Sequence, residues 1–362
     1  MTQSSGIAIT GATTLSAGTG SITLTSPNDF QGTVTATGSA ISLTDSNALT
    51  AVFTATGATT LSAGTTLAAN GTTGSLSTTT GSTTTFGAVT TSGTLSTASG
   101  GAVSQTAPLH VGGLASISAP AQTITLTNAA NDFVAGISSL TGGTTSIVDA
   151  NSLAFGTVNT GGLTVANSGA LSFGSATTSG ITVNTNGGVL TPGTINAGAG
   201  AVNITAGSIS TAGSLAGASA NLSSANQVGG GGTSLSTTFG GGSVVLTGAA
   251  SGWNLSGPSI PQPTFTPTGQ STGTNVFYNA GCISGPACAG VFAVTASIGA
   301  SVAQIASQAL KDAQSTDSVA KHIDYGFAGD VGRTPPMDHR IDETGISTPE
   351  CFEESREGAS CK

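Results

Sequence analysis

The sequence predicts an all-β protein: a right-handed parallel β-helix, or solenoid, followed by a small helical and irregular C-terminal tail that carries disulfides. Three observations support this. Residues 22–50 and 124–153 are degenerate copies of one stretch. Short alternating apolar pairs recur at roughly 19 to 23 residues, the period of stacked β-helical turns. The 362 residues include 55 Gly but only 6% charged and 4% aromatic residues, so an ordinary globular core is not expected.

The apolar pairs define the strands of the repeat region, residues 1–255. They are Ile7/Ile9, Ile22/Leu24, Ile41/Leu43, Ile124/Leu126, Leu163/Val165, Leu171/Phe173, Ile181/Val183 and Val202/Ile204. Each pair predicts a strand of about five residues with one face inward. Stacking about 12 turns would align the inward side chains and pair every strand with its neighbours. Because Met1 enters the repeat without a capping segment, we expect a preceding part of the protein to be missing.

The chain after residue 255 is predicted to form three segments. Residues 256–292 read as a linker rich in Pro and Gly, because the four prolines of residues 257–269 remove ladder donors. Residues 293–326 read as a short helical segment, with Val294, Ile298 and Val302 at helical spacing. Residues 327–362 are charged and are expected to be an irregular anchor tail.

The distribution of charge excludes several functions. All six cationic side chains lie in the last 52 residues: Lys311, Lys321, Arg333, Arg340, Arg356 and Lys362. A repeat region without cationic side chains cannot neutralise phosphates, so we expect no nucleic-acid partner. No run of about 18 apolar residues predicts a membrane span.

The four Asp residues before Lys311 lie in the two copies. Paired carboxylates could indicate glycoside hydrolysis or calcium binding. The surrounding Asn, Ser and Gly instead favour structural turns, in which Asx side chains satisfy nearby backbone and Phe points inward. The residues assigned to these turns are Asn28, Asp29, Phe30, Asp45, Asn47, Asn131, Asp132, Phe133, Asp149 and Asn151. We predict no catalytic residue, cofactor or metal.

Two further sequence patterns could indicate a binding or catalytic site. His110 is isolated in the sequence from any other titratable residue, which favours a solvated strand-edge histidine over a base or metal ligand. Thr-x-Thr tracts at residues 33–37 and 123–127 are typical of ice-binding β-helices. They do not recur once per turn in the sequence, so cross-strand packing is the predicted role.

Four cysteines form two close pairs outside the repeat, Cys282 with Cys288 and Cys351 with Cys361. Four cysteines allow three connectivities, and the short loops favour local pairing. Zinc is the alternative, although the gaps fit it poorly. Disulfides indicate an oxidising compartment and therefore export from the cytosol.

The turns of residues 22–50 and 124–153, with their pattern ITLT, NDF, Gly and D-x-N-x-L, resemble filamentous-haemagglutinin-like large adhesins of Gram-negative bacteria. The terminal Cys351/Cys361 pair is similar to the tail of high-molecular-weight adhesins exported by two-partner secretion. In that family a C-terminal disulfide loop holds the exoprotein at its outer-membrane transporter.

This resemblance implies a non-catalytic adhesin stalk, secreted or attached to the bacterial surface and associated with the outer membrane. Its partners would be the transporter and a host-cell surface protein or glycan. Two alternatives remain: a purely structural passenger or matrix fibre, and a β-helical carbohydrate-active enzyme.

Overall fold

A computed structural model describes residues 1–226, 228–229, 233–240, 244–248 and 255–256 of the chain, and five short strands beyond them. They belong to two compact units, Met1–Ser297 and Ile298–Lys362. Cys282, Cys288, Cys351 and Cys361 lie outside the described residues, as does the predicted helical segment from residue 297 onward. All regular secondary structure in the described ranges is β-strand. No helix long and apolar enough to cross a membrane is present in these ranges.

Twenty strands form the first part of the repeat region. They are β1 (Ala8–Ile9), β2 (Thr13–Ser16), β3 (Ile22–Phe30), β4 (Val34–Gly38), β5 (Ile41–Asp45), β6 (Leu49–Ala55), β7 (Ala58–Ala63), β8 (Leu67–Thr73), β9 (Ser75–Thr80), β10 (Thr84–Thr91), β11 (Leu95–Ser99), β12 (Val103–Gln105), β13 (Leu109–Val111), β14 (Ala115–Ala119), β15 (Ile124–Leu126), β16 (Asp132–Phe133), β17 (Ile137–Asp149), β18 (Leu153–Asn167), β19 (Leu171–Thr177) and β20 (Ile181–Asn184).

Fourteen strands follow. They are β21 (Val189–Thr191), β22 (Gly193–Asn196), β23 (Ala201–Ala206), β24 (Ser208–Ile209), β25 (Gly213–Gly217), β26 (Ser219–Ser224), β27 (Leu235–Phe239), β28 (Val244–Gly248), β29 (Leu255–Ser256), β30 (Thr264–Phe265), β31 (Thr274–Tyr278), β32 (Phe292–Ala296), β33 (Asp338–Ile341) and β34 (Ser347–Glu350).

Parallel pairing between successive turns confirms the predicted β-solenoid. Thr2 pairs with Thr23, Thr23 with Ser42, and the register continues turn by turn, giving about 12 turns in the repeat region. The length of a turn varies. Val34 pairs with Ala51, 17 residues later, whereas Ala220 pairs with Val244, 24 residues later. Because successive turns pair in parallel, the backbone N–H and C=O groups of a strand find hydrogen-bond partners in the turns before and after it.

The core is a column of inward side chains selected by the two-residue period of each strand. In β6 and β11 every second residue is buried, and the residues between them are exposed. Five phenylalanines are fully buried, and Phe155 stacks on Phe173 with ring centroids 5.0 Å apart. Burying one such aliphatic or aromatic side chain contributes about 1.5–3 kcal/mol, so many thin layers add up to a stable core.

Three local predictions differ from the structure. Parallel pairing continues past residue 255, because β30 pairs with β28. Residues 294–296 lie in β32, antiparallel to β31, so the predicted helix cannot begin at Val294. The period-two run Phe292–Ala296, which includes β-branched Val and Thr, outweighs the helical spacing there. In the tail predicted to be irregular, β33 and β34 form an antiparallel pair.

One corner of the solenoid is a stack of glycines. The N–H of Gly74 donates to the carbonyl of Gly57, Gly93 donates to Gly74, and Gly113 donates to Gly93, at 2.7, 2.6 and 2.9 Å. A Cβ atom on Gly93 would lie 2.6 Å from the carbonyl oxygen of Gly74. That approach is closer than van der Waals contact, so the turns can stack this tightly only without side chains.

We expect Gly93→Ala to lower the free energy of unfolding by at least about 1 kcal/mol, because the added methyl forces backbone groups apart. Gly162→Ala is the matched control, since no atom lies within 4 Å of a Cβ built there. Urea denaturation followed by circular dichroism measures both. Equal stability of the two variants would contradict the close-packed corner.

Candidate functional site

The first copy contains a buried side-chain cluster, which we call the amide clamp, formed by Gln3 and Asn28. The Asn28 oxygen accepts from the Gln3 side chain at 2.7 Å and from the N–H of Ile7 at 3.0 Å. The Asn28 amide donates to Gln3 Oε1 at 3.1 Å and to the carbonyls of Leu24 and Thr44 at 3.1 and 2.9 Å. Asn28 therefore joins three successive turns.

The second copy repeats this clamp with Gln105 and Asn131. The Asn131 oxygen accepts from Gln105 at 2.8 Å and from the N–H of Leu109 at 2.9 Å. Its amide donates to Gln105 Oε1 at 2.8 Å and to the carbonyls of Leu126 and Val148 at 3.1 and 3.2 Å. Both asparagines are fully buried, where an unpaired amide would be costly.

Sequence reasoning missed Gln3 and Gln105. The signal was present, because these glutamines are separated by the same offset of 102 residues as Ile22 and Ile124. Each glutamine also donates to a nearby carbonyl, that of Ser5 or Ala107, at 2.6 Å. The structural repeat therefore begins upstream of the stretch that the apolar pattern identified.

Each copy also contains one buried carboxylate beside the clamp. Asp45 Oδ2 accepts the N–H of Phe30 at 2.8 Å, and Oδ1 accepts the N–H of Asn47 at 2.8 Å. In the second copy, Asp149 accepts the N–H groups of Phe133 and Asn151 at 2.8 and 2.9 Å. Both oxygens of each carboxylate thus bind backbone inside the solenoid.

The remaining residues of the two copies lie around these carboxylates. Phe30 and Phe133 point into the core and are fully buried. Asp29 is half-buried and accepts from the side chains of Gln31 and Asn47 at 3.1 and 3.2 Å. The side chain of Asn151 is exposed.

His110 has an acidic partner, which corrects its description as isolated. Its Nδ1 lies 3.1 Å from Asp132 Oδ2, and the two side chains are 50% and 25% exposed. The parallel register of β13 and β16 places the two residues side by side although 22 positions separate them. In the first copy Ala8 occupies the corresponding position beside Asp29. Among the described residues, no group of three His, Cys, Asp or Glu could hold a metal ion.

Asp149 is a buried carboxyl whose pKa is shifted from its ordinary value. Burial raises its pKa above the ordinary value of 3.8, the N–H groups of Phe133 and Asn151 act in the opposite direction, and the nearby Asp132 charge adds to the rise. Ionised Asp149 is therefore less well accommodated in the folded protein than in the unfolded chain.

A second candidate site is an uninterrupted row of Ser and Thr residues, one from every turn, which we call the hydroxyl column. Following the parallel register, its members are Thr2, Thr23, Ser42, Thr60, Ser77, Ser96, Ser116, Ser139, Thr157, Ser175, Thr194, Ser214, Ser236 and Ser256. These side chains alternate with buried core residues in their strands and are half-buried or exposed.

A second outward column runs two residues further along the same strands. It contains Thr44, Ser62, Thr79, Ala98, Ser118, Thr141, Asn159, Thr177, Asn196, Ala216 and Thr238. We call the two columns together the hydroxyl face. The tracts at residues 33–37 and 123–127 are not part of this face. The face has Ser, Ala or Asn at many positions, so the expectation that Thr-x-Thr tracts do not recur once per turn on one face is not contradicted.

The raised pKa of Asp149 predicts an unusual pH dependence. Because the folded state binds this proton more tightly, the contribution of Asp149 to stability is complete below the unfolded value of 3.8 and is lost as pH rises through the folded pKa. We expect the free energy of unfolding of the wild type, minus that of Asp149→Asn, to fall as pH rises above 3.8.

Chemical denaturation at several pH values measures this difference, and subtracting the variant cancels the titration of the acidic tail. A difference that rises with pH would mean that ionised Asp149 stabilises the fold.

Comparison with known proteins gives one family. A family described as repeats of unknown function (DUF5649) matches residues 1–37 and 73–140, which is under a third of the chain. The first matched segment contains Gln3 and Asn28, and the second contains Gln105 and Asn131. Among curated proteins and among solved structures, none matches this chain significantly. The matched segments therefore include the residues of both clamps.

Proposed function

We propose that this chain is the stalk of a secreted or surface-attached bacterial adhesin without catalytic activity. The observation that carries the proposal is the parallel pairing of each turn with the next from Thr2 to Ser256, together with the similarity of the chain to a family of repeats. In such a solenoid each turn is stabilised by its neighbours, so the fold supplies length and a long lateral surface. Both are properties that a stalk needs.

The charge distribution is consistent with an extracellular role. The body has no cation before Lys311, so it offers no attraction to nucleic acid. Its few exposed large apolar side chains include Leu114, Val134 and Val189, which are spread along the chain. Exposed apolar side chains scattered singly are normal for a soluble surface.

The secretion route is proposed from the sequence of the tail. A disulfide between Cys351 and Cys361 would close a loop with nine residues between the cysteines. Such a compact loop resists threading through a narrow channel. We propose that this loop retains the exoprotein at an outer-membrane transporter on the bacterial surface. The receptor on the host cell would be a surface protein or a glycan.

Adhesion by the stalk itself tests the main proposal. We expect the full chain, fluorescently labelled, to bind host epithelial cells in a saturable manner, because the lateral surface of the solenoid is the proposed contact. A matched protein of residues 298–362 is the control and should not bind. If binding is absent, or is equal for the tail alone, a purely structural fibre is the better account.

Retention by the tail is tested separately in the secreting bacterium. We expect Cys351→Ser to raise the fraction of exoprotein in the medium several-fold, because the loop can no longer close. Cys282→Ser removes a cysteine from the other pair and should leave release unchanged. Immunoblots of cells and medium give the ratio, and unchanged retention in the Cys351 variant would exclude the anchor.

A further inference from the structure

We propose that the hydroxyl face binds an extended, neutral, β-linked polysaccharide that lies along successive turns. The inference rests on the proposed adhesin function and names the class of ligand for its stalk. It depends on four properties of this face: unpaired hydroxyl groups, a regular spacing, the absence of charge, and length.

The hydroxyl groups of the column have no partners within the described residues, with one exception. Ser256 accepts from Ser234 at 2.9 Å, whereas the other members of the column make no side-chain hydrogen bond to any residue that the structure describes. Several buried hydroxyls do have partners: Thr59 and Thr73 bond each other, and Thr73 also donates to the carbonyl of Gly57. Each hydroxyl of the column can therefore donate one bond and accept two from an external molecule.

The spacing of these groups suits a polymer better than a small molecule. Adjacent parallel strands lie about 4.8 Å apart, and residues two positions apart in a strand are separated by about 6.6 Å. One sugar of an extended β-linked chain advances by about one such strand spacing. Successive sugars would therefore meet successive turns and find a member of the hydroxyl column each time.

The chemistry of the face favours a neutral ligand. Neither column contains a charged residue, and the ion pair of His110 with Asp132 belongs to a different column of side chains, next to Thr90. An anionic glycan would find no cation here to attract it. Nine of the 14 members of the hydroxyl column are Ser, which lacks the methyl group of Thr. Hydrogen bonding therefore dominates over apolar contact.

The affinity for a polysaccharide depends on how many turns of the hydroxyl face the polymer contacts. A hydrogen bond formed in competition with water contributes little net free energy, so one or two sugars would bind weakly. Many turns presenting the same groups make later contacts intramolecular, and the affinity then increases with the number of turns engaged. Binding should consequently require a long polymer and an uninterrupted face.

The test uses the full chain and three outward substitutions on this face, Thr60→Lys, Ser116→Lys and Ser175→Lys, combined in one variant. They divide the hydroxyl column into runs of at most four residues. The control combines Thr37→Lys, Thr72→Lys and Thr182→Lys, which add the same charge at exposed positions of other columns. Circular dichroism confirms that both variants keep the wild-type fold.

The probes are microcrystalline cellulose and chitin in a pull-down assay, with cello-oligosaccharides of increasing length as competitors. We expect the wild type and the control variant to bind at least one of the two polymers. The face variant should lose at least tenfold in affinity, and only the longer oligosaccharides should compete.

Several results would overturn the inference. They are no binding of the wild type to either polymer, equal loss in the control variant, binding only to an anionic polymer such as heparin, face-dependent dimerisation, or face-dependent shaping of ice crystals. A wild type that ignores both polymers but adheres to host cells would refute this inference and leave the adhesin proposal standing. Face-dependent binding to cellulose or chitin without adhesion to host cells would support this inference and refute the adhesin proposal.

Discussion

The interaction on which the rest of the structure depends is the parallel backbone ladder between successive turns. Each turn contributes only a few apolar side chains, so it cannot bury enough surface to fold alone. The ladder fixes the register of every strand, and the register in turn stacks the inward Ile, Leu, Val and Phe into one core. The outward Ser and Thr become columns for the same reason. Core and hydroxyl face are thus two consequences of one pairing pattern.

The amide clamps lie where this ladder is interrupted. The register of β3 with β5 shifts between Leu24 and Asn28, and backbone groups near the shift need other partners. Asn28 and Asp45 supply these partners from inside the solenoid. The second copy has one more residue in the interruption, between Leu126 and Asn131, which explains the drift of the repeat offset beyond 102. Buried polar side chains are tolerated here because they are fully hydrogen-bonded.

The fold class and the inward placement of Phe30 could be predicted from the sequence, because a two-residue alternation requires only local information. The partner of His110 and the hydroxyl column could not. Turns range from 17 to 24 residues, so no fixed period aligns Ser42 with Thr60 or His110 with Asp132. Only the pairing register brings these residues together. The clamp glutamines were predictable in principle, but they lie outside the apolar pattern that defined the repeat.

The most direct measurement is hydrogen exchange, resolved by mass spectrometry, in the wild type, in Asn131→Ala and in Asn221→Ala, whose asparagine is exposed and forms no side-chain hydrogen bond. If the clamp holds three turns together, loss of Asn131 will speed exchange in residues 103–111, 124–133 and 144–149. Residues 57–80 will stay protected, and Asn221→Ala will match the wild type throughout. Unchanged exchange near residue 131, or a uniform increase along the whole solenoid, would contradict this account.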